Sequence, residues 1–316
     1  MIKEELLKLA EDRPLITSEK YEPNDFYGTA TIIKQYIGAP PDYAIKAAIE
    51  HGPVITDYIW DVDLNAELPA IISTSRYRSS VLSKHTSKAL FSIGPYIAYA
   101  PYYLDPPTME KEKKRLGKML LAFHGHSSSY IDVHFDTKEY CQKLAEVAKD
   151  FDSVCICLYW IDVLRGFADI FMSYGFECVT AGHIYDPLFM PRLKSIIELA
   201  TIATSNEYGT YLCYSVYLGK PFWFIKSGEI TYKRLTDISR DDTQFNHPNT
   251  LEIEKIFSVQ NSDISPYQQE LVDKYSGLSD IKSVEEMRSI INEMELMYNK
   301  VGTRLKRLYK HFFKKP

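Results

Sequence analysis

The chain has 316 residues, of which 45% are hydrophobic and 25% charged, a composition typical of a globular protein with about two domains. It excludes the collagen-like, coiled-coil and disordered classes. No apolar run reaches the roughly 18 to 20 residues needed to cross a bilayer, and residues 1–14 lack the apolar core of a signal peptide. We therefore expect a cytoplasmic protein.

Charge is distributed unevenly along the chain. The net charge is −5, yet residues 300–316 contain seven Lys or Arg and no acidic residue. The acidic body argues against a nucleic-acid partner, which normally requires distributed positive charge. The five cysteines are odd in number and lie mostly in apolar stretches, which predicts buried, reduced thiols rather than a metal site.

The first 105 residues are predicted to form a small α/β unit. Strands are expected near residues 52–55, 70–73 and 89–93, and a helix near 42–50. Residues 100–117 then combine three prolines with a run of charges, which is typical of a domain boundary. The predicted domains are residues 1–107 and 108–250, followed by a helical segment at 251–316.

Strand-like and helix-like patterns alternate most clearly between residues 116 and 225. Short apolar strands are predicted at 118–123, 153–160, 178–182, 201–205 and 221–225. Asp136 and Glu139 have the spacing of a capping box and begin a helix between the first two strands. Later helices begin near Pro191 and end near Gly219. This alternation predicts a doubly wound parallel sheet.

A long helix is predicted from Ser283, which has the capping-box spacing with Glu286. Its apolar stripe continues into the basic end of the chain, past Phe312 and Phe313. Two interpretations stay open. The basic amphipathic end contacts the anionic inner-membrane surface, or the helix packs across both domains and its basic end is solvated.

Polar loops follow several strands of the predicted sheet, and in an open parallel sheet ligands bind beyond the carboxyl ends of the strands. The loop after the first strand offers hydroxyls and imidazoles, which suit a phosphate or another part of a substrate. Its residues are His124, His126, Ser127, Ser128 and Ser129. The alternatives are a purely structural loop and a metal site that adds His134.

The turn between the strand at 201–205 and the following helix is the stronger candidate. A helix start leaves backbone N–H groups free, and its dipole favours a diphosphate. The residues concerned are Ser205, Asn206, Gly209 and Thr210. A plain helix cap is the alternative. His183 and Tyr185 follow another strand and are predicted to contact a base or ribose at the same edge.

The first half supplies candidates for a general base, since a His or Asp facing the cleft can remove a proton from an acceptor hydroxyl. These candidates are His51, Asp57 and Asp61. Arg76 and Arg78 follow a strand and are either anion contacts or solvated side chains.

The order of these features resembles the GT-B glycosyltransferases. Residues 116–225 are similar to the nucleotide-sugar-binding domain of that family, in the S/N-x-x-G-T type of turn at 206–210 and in the Gly-Lys-Pro before the last strand. More specifically, the chain resembles bacterial glycosyltransferase-like proteins of capsule or lipopolysaccharide clusters. The resemblance implies an α/β fold with two Rossmann-like doubly wound domains that face a central cleft, followed by C-terminal helices.

The resemblance also implies an activity, namely metal-independent glycosyl transfer from a nucleotide-sugar to a surface-polysaccharide or lipid-linked acceptor. No cofactor is implied besides the nucleotide-sugar substrate. By this resemblance, the residues that contact the donor phosphates are Ser205, Asn206, Gly209 and Thr210, and His51 is the acceptor base. Many retaining members have two glutamates eight positions apart. Here Glu198 is followed by Asn206 at that spacing, which favours an inverting mechanism.

Three alternatives stay open at this point. The first is another enzyme on the same scaffold that acts on nucleotide-sugars, such as a 2-epimerase or a pyruvyl transferase. The second is a polyol-phosphate transferase, which would also use a His-Gly turn. The third is a subunit that binds nucleotide-sugar without catalysis.

Overall fold

The computed structural model of the protein describes residues 1–128, 130–234 and 247–313, with side chains up to residue 300 except at residue 234. The strands are β1 (Ala47–Ile49), β2 (Ala70–Ser73), β3 (Ala89–Ser92), β4 (Met119–Phe123), β5 (Ile131–His134), β6 (Ser153–Leu158), β7 (Glu177–Thr180), β8 (Ile202–Ser205), β9 (Phe222–Phe224) and β10 (Thr231–Arg234). The helices are α1 (Lys3–Ala10), α2 (Thr29–Ile37), α3 (Asp61–Asn65), α4 (Arg76–Leu82), α5 (Pro106–Leu116), α6 (Thr137–Val147), α7 (Trp160–Leu164), α8 (Phe167–Ser173), α9 (Phe189–Leu199), α10 (Thr210–Tyr217), α11 (Pro248–Ile256), α12 (Pro266–Ser276) and α13 (Val284–Phe313).

The larger sheet contains five parallel strands in the order β7-β6-β4-β8-β9. Counted from its first strand, this is the order 3-2-1-4-5 of a Rossmann fold, in which the winding reverses between β4 and β8. The five strands predicted from sequence are confirmed and differ only at their ends. Asp136 caps α6 as predicted, since its side chain accepts the Glu139 N–H at 2.9 Å.

The smaller sheet is parallel and has the order β1-β2-β3, with Ala70 of the central strand opposite Ala47 and Ala89. Apolar side chains of both sheets belong to one hydrophobic cluster, which includes Ile72 of β2 and Leu121 of β4. The predicted α/β class with two Rossmann-like units is therefore confirmed.

The start of the smaller sheet corrects the sequence prediction. The helix expected near 42–50 is wrong, because β1 lies at Ala47–Ile49, and the strand expected near 52–55 is a loop. All three residues of β1 are buried. A short parallel strand covered on both faces shows a continuous apolar run instead of alternation, and such a run also fits a helix. The strands predicted near 70–73 and 89–93 are confirmed by β2 and β3.

The sequence prediction also omits a short antiparallel pair beside the larger sheet. β5 pairs with β10, with His134 opposite Thr231. In the loop between β4 and β5, several side chains bond to the backbone of the same loop or of β5, as described below. The paired residues His134 and Thr231 are 97 positions apart in the chain. The two strands therefore lack the short connecting turn by which a hairpin is predicted from sequence.

The N-terminal helix packs on the larger unit, and the C-terminal helix packs on the smaller unit. α1 lies on the larger unit, where the Leu9 carbonyl accepts the His183 N–H at 2.9 Å. α13 packs on the smaller unit, where the Arg288 Nε donates to the Ile37 carbonyl at 2.8 Å. The predicted domain limits at residues 107 and 250 stay a prediction, and α5 lies at the first of them.

The basic C-terminal end stays open between its two interpretations. Met287, Ile291 and Met294 of α13 are buried, so the first part of the helix packs against the protein. The side chains after residue 300, on which membrane contact would depend, lie outside the described part. Within the described ranges, no helix combines the length and apolarity needed to span a membrane. All five cysteines are buried and free, as predicted.

Candidate active site between the two sheets

The carboxyl ends of both sheets meet where β1 and α10 come together. Gly52 follows β1, and a Cβ at Gly52 would lie 3.1 Å from the Cγ2 of Thr210, the first residue of α10. The predicted base His51 and the predicted phosphate turn therefore lie at the same place in the fold. This contact is the one that defines the candidate active site.

His51 projects from a tight turn at the end of β1. The Gly52 N–H donates to the Glu50 carbonyl at 2.9 Å, which makes His51 the central residue of a γ-turn. Its imidazole is exposed and lies between the rings of Tyr27 and Trp60, with centroid distances of 5.1 and 6.5 Å. The base predicted from sequence is therefore accessible and has two aromatic rings beside it.

A buried polar cluster lies behind this turn. The carboxylate of Glu50 accepts a hydrogen bond from the Arg78 Nε at 2.6 Å, and the Tyr96 hydroxyl donates to the Glu50 carbonyl at 2.8 Å. Burial raises the pKa of Glu50 to about 7, and Arg78 partly offsets that effect. Arg78 is thus neither solvated nor available to an anion. Arg76 is exposed and pairs with Asp280 at 2.8 Å.

Two tyrosines connect His51 to the larger unit. The Tyr27 hydroxyl lies 3.3 Å from the Tyr159 hydroxyl, and the Tyr159 ring packs on His126 at 4.2 Å between centroids. His126 is exposed like His51. The structure therefore places two accessible imidazoles on either side of a tyrosine pair. Sequence reasoning missed Tyr27 and Tyr159, since neither lies in a polar motif.

The turn at the start of α10 divides into buried and accessible residues. Asn206 is fully buried, and its Oδ1 accepts the Gly125 N–H at 2.8 Å. Ser205 is also buried and bonds to the Tyr211 hydroxyl at 2.9 Å. Both residues predicted as phosphate contacts thus have their polar groups occupied inside the protein. Gly209 and Thr210 are half-buried at the helix start and remain accessible.

Glu207 is an additional acidic residue at this turn. Its carboxylate is buried and accepts a hydrogen bond from the Tyr232 hydroxyl of β10. Its second oxygen lies directly against Gly125, so a Cβ at that position would require the carboxylate to move. The carboxylate therefore links β10, the loop after β4 and the turn before α10. In the sequence, Glu207 lies one position beyond the place expected for the second glutamate of retaining GT-B enzymes, counted from Glu198, and this is the signal that points toward it.

His124 is buried in an aromatic cluster and does not face the cleft, contrary to the prediction. Its ring packs on Phe167 and Phe171 at 5.7 and 5.5 Å between centroids. Its Nδ1 bonds to the Gly125 carbonyl at 2.8 Å, and burial lowers its pKa to about 4. A neutral imidazole that donates to the backbone is a structural group at neutral pH.

His183 is likewise a structural residue. It is buried against Trp160 at 4.1 Å between centroids, its Nδ1 accepts the Tyr185 N–H at 3.1 Å, and burial lowers its pKa. Tyr185 is half-buried and packs on Phe26 of the smaller unit at 5.4 Å. The loop after β7 therefore contacts the smaller unit through Tyr185, and His183 fixes its backbone.

The serines of the loop after β4 also bond internally. The Ser127 hydroxyl accepts the Val133 N–H at 3.1 Å and the Ser128 hydroxyl accepts the Ile131 N–H at 3.2 Å. Ser129 lies outside the described residues. Asp162 lies below this loop, and burial raises its pKa to about 6 while the nearby His126 opposes that shift. His126 is the one fully exposed member of the predicted set in the described part of this loop.

The two acidic candidates of the smaller unit are exposed. Asp57 faces His247 at 3.6 Å, and 79% of its side chain is accessible. Asp61 begins α3, directly after Trp60. Among the described residues, no group of three or more His, Cys, Asp or Glu is arranged to hold a metal ion.

Several solved structures are similar to this chain. A UDP-GlcNAc 2-epimerase from Neisseria meningitidis, bound to UDP-GlcNAc, matches 80% of this chain and 68% of its own, with 14% identity and a TM-score of 0.41. The wall teichoic acid polymerase TagF matches 84% and 70%, with 11% identity and a TM-score of 0.42. A UDP-glucosyltransferase from Polygonum tinctorium matches 72% and 54%, with 11% identity and a TM-score of 0.35.

No protein-family model matches the sequence, and the comparison with curated proteins finds no match either. The two parallel sheets, whose carboxyl ends meet at His51 and Thr210, agree with the resemblance to GT-B glycosyltransferases at the level of the fold. A role in capsule or lipopolysaccharide synthesis stays a prediction.

Proposed function

We propose that the protein is a glycosyltransferase that uses a nucleotide-activated sugar and acts on a hydroxyl of a surface-polysaccharide or lipid-linked acceptor at the cytoplasmic side of the membrane. The contact between the His51 turn and Thr210 supports this proposal best, because it brings a proton acceptor and a helix N-terminus to one place. A helix N-terminus favours the negative charge of a donor diphosphate.

The proposed reaction needs no redox partner. His51 takes the proton of the acceptor hydroxyl while the acceptor oxygen forms a bond to the anomeric carbon of the donor. The bond from that carbon to the donor phosphate breaks, and its electron pair leaves with the nucleotide. Backbone N–H groups at the start of α10, near Gly209 and Thr210, stabilise the leaving phosphate. Direct displacement of this kind inverts the anomeric configuration.

The first experiment separates donor binding from turnover. Nucleotides (UDP, GDP, CMP, dTDP and ADP) and their sugars are screened by thermal shift, since a ligand of the folded state raises its stability. Nucleotide release from the donor that binds is then measured with total membrane lipid extract as acceptor. His51→Gln is expected to lower turnover at least 100-fold and to leave donor affinity within about twofold.

The matched control is His85→Gln, because His85 is an exposed histidine after α4, outside the site. It should behave as the wild-type protein. Full turnover in His51→Gln would exclude His51 as the base. Binding without turnover in the wild-type protein would favour the non-catalytic alternative.

A polyol-phosphate transferase is the second candidate, and one observation favours it. Two exposed imidazoles, those of His51 and His126, lie on either side of the Tyr27–Tyr159 pair. One imidazole would deprotonate the acceptor and the other would donate a hydrogen bond to the transferred phosphate. This enzyme would release CMP from CDP-glycerol or CDP-ribitol and would not release a nucleotide from sugar donors.

A further inference from the structure

Tyr27 has a backbone conformation that is rare for a residue with a large side chain. Its φ is +59°, and no other non-glycine residue of the described ranges has a positive φ. This conformation is disfavoured because the Cβ approaches the neighbouring carbonyl oxygen. Strain of this kind persists only where surrounding contacts impose it, and it occurs mainly at functional sites.

The contacts that impose it come from the loop after β7 in the larger unit. The Tyr27 N–H donates to the Ile184 carbonyl at 2.6 Å. Gly28 lies so close to Pro187 that a Cβ there would be 2.5 Å from the Pro187 carbonyl oxygen. Phe26 packs on Tyr185 of the same loop. Three consecutive residues of the smaller unit are therefore fixed by one loop of the larger unit.

The Tyr27 ring connects this turn to the site. Its centroid lies 4.7 Å from Phe189 and 5.1 Å from His51, and its hydroxyl lies 3.3 Å from that of Tyr159. His51 is the exposed one of these neighbours, and the Tyr27 ring packs against its imidazole. The loop after β7 thus reaches His51 through the backbone and the ring of Tyr27.

We propose that Tyr27 is a positioning residue that orients the His51 imidazole toward the acceptor, and that its strained backbone is the means by which the larger unit fixes that orientation. This inference rests on the proposed function, in which His51 is the base. A misplacement of about 1 Å of a reacting group can lower a rate about 100-fold, so orientation alone has a measurable effect.

Three substitutions separate the ring, the hydroxyl and the strain. Tyr27→Phe keeps the ring and is expected to keep kcat within about threefold. Tyr27→Ala and Tyr27→Gly both remove the ring and should lower kcat about 10- to 100-fold with the donor KM unchanged. The two differ in strain, since glycine accepts positive φ and alanine does not. Tyr27→Gly should therefore have the higher Tm, by about 1–4 °C, the reverse of the usual order.

Tyr267→Ala is the matched control, because Tyr267 is an exposed tyrosine on α12 that bonds to Glu252. It should retain kcat. A higher Tm for Tyr27→Ala than for Tyr27→Gly would show that the backbone at this position is not strained. An unchanged kcat in Tyr27→Ala would overturn the positioning role.

Imidazole NMR signals make the test independent of turnover. In Tyr27→Ala, but not in Tyr27→Phe, the ring signals of His51 should broaden, while those of His85 stay sharp. A shift without broadening reports only the lost ring current of Tyr27 and would overturn the inference. If the wild-type protein shows no turnover, the proposed function fails, and these signals still decide whether Tyr27 orients His51. Unchanged His51 signals in Tyr27→Ala would overturn the inference.

Discussion

Glu50 and Arg78 form an ion pair that is completely buried directly behind the turn of His51. The Arg78 Nε donates to the Glu50 Oε1 at 2.6 Å, and neither side chain has exposed surface. The Arg78 Nη1 also donates to the Thr56 carbonyl at 3.3 Å. One guanidinium therefore holds both ends of the loop that carries His51. Because burying two charges is costly, the pair fixes the geometry of this loop more than it adds net stability.

Arg78→Met is expected to destabilise the protein by about 3–5 kcal/mol, because it leaves the buried carboxylate of Glu50 without its charged partner. Lys114→Met is the control. Lys114 pairs with Glu110 at 3.4 Å, and 76% and 63% of the two side chains are exposed, so its loss should cost about 0–1 kcal/mol. Urea unfolding at pH 8 measures both. Equal costs for the two substitutions would contradict the role assigned to the buried pair.

The arginines also show where sequence reasoning stops. Alternating strands and helices were enough to predict the larger sheet, because each strand and helix leaves a local pattern. Arg76 and Arg78 lie in the same polar loop of the sequence, and only the fold makes one exposed and the other buried. The predicted site residues divide in the same way. His51 and Thr210 lie at the cleft, as predicted, whereas Ser205 and Asn206 are buried.

The direction in which a side chain leaves a strand end is the information that the sequence lacks. His124 and His126 follow the same strand, yet the first points into an aromatic cluster and the second toward the cleft. Tyr27 lies in a segment without periodic pattern, so neither its conformation nor its contact with His51 could be predicted. Both depend on contacts between residues far apart in the chain.

His124 should make the stability of the protein depend on pH. Its pKa is about 4 in the folded protein and about 6.5 in the unfolded chain, so between these values the unfolded chain binds more protons. Stability is therefore lost as the pH falls from about 6.5 to about 4. Relative to His124→Phe, which does not titrate, the wild-type protein should lose about 2 kcal/mol between pH 8 and pH 5.

Urea unfolding of both proteins at several pH values measures this difference. Other titrating groups are common to the two proteins, so their contributions cancel in the comparison. A difference that stays constant from pH 8 to pH 5 would show that the His124 imidazole is not shielded from water.

Asn206 and Thr210 belong to the same turn, but substitution of Asn206 should mainly lower stability, whereas substitution of Thr210 should mainly weaken donor binding. Asn206→Ala leaves the buried Gly125 N–H without its acceptor and should cost about 1–3 kcal/mol of stability. Thr210→Val keeps the shape of an accessible side chain, so stability should change by less than about 0.5 kcal/mol. Loss of its hydroxyl should weaken binding of the donor nucleotide about 3- to 10-fold.

Denaturant unfolding and calorimetric titration with the nucleotide selected by thermal shift measure the two effects. If Thr210→Val binds the nucleotide as tightly as the wild-type protein, the hydroxyl does not contact the donor. If Asn206→Ala is as stable as the wild-type protein, its hydrogen bond to Gly125 is not the structural contact described above.

Gly28 should be the glycine at which a methyl group most directly disturbs the contact between the two units. Gly28 and Gly175 both have positive φ, +71° and +82°, so an alanine at either position pays a similar backbone cost of about 1 kcal/mol. Nothing lies within 4 Å of a Cβ at Gly175, whereas a Cβ at Gly28 would be 2.5 Å from the Pro187 carbonyl oxygen.

Because the Pro187 oxygen belongs to the backbone, it cannot move aside as a flexible side chain can. Gly28→Ala should therefore cost about 1–3 kcal/mol more than Gly175→Ala in urea unfolding, and it should lower kcat, since Gly28 adjoins Tyr27. Gly175→Ala should leave kcat unchanged. Equal unfolding free energies for the two variants would mean that the turn at Tyr27 and Gly28 does not pack tightly on the loop after β7. The proposal that this loop positions His51 through Tyr27 would then be wrong.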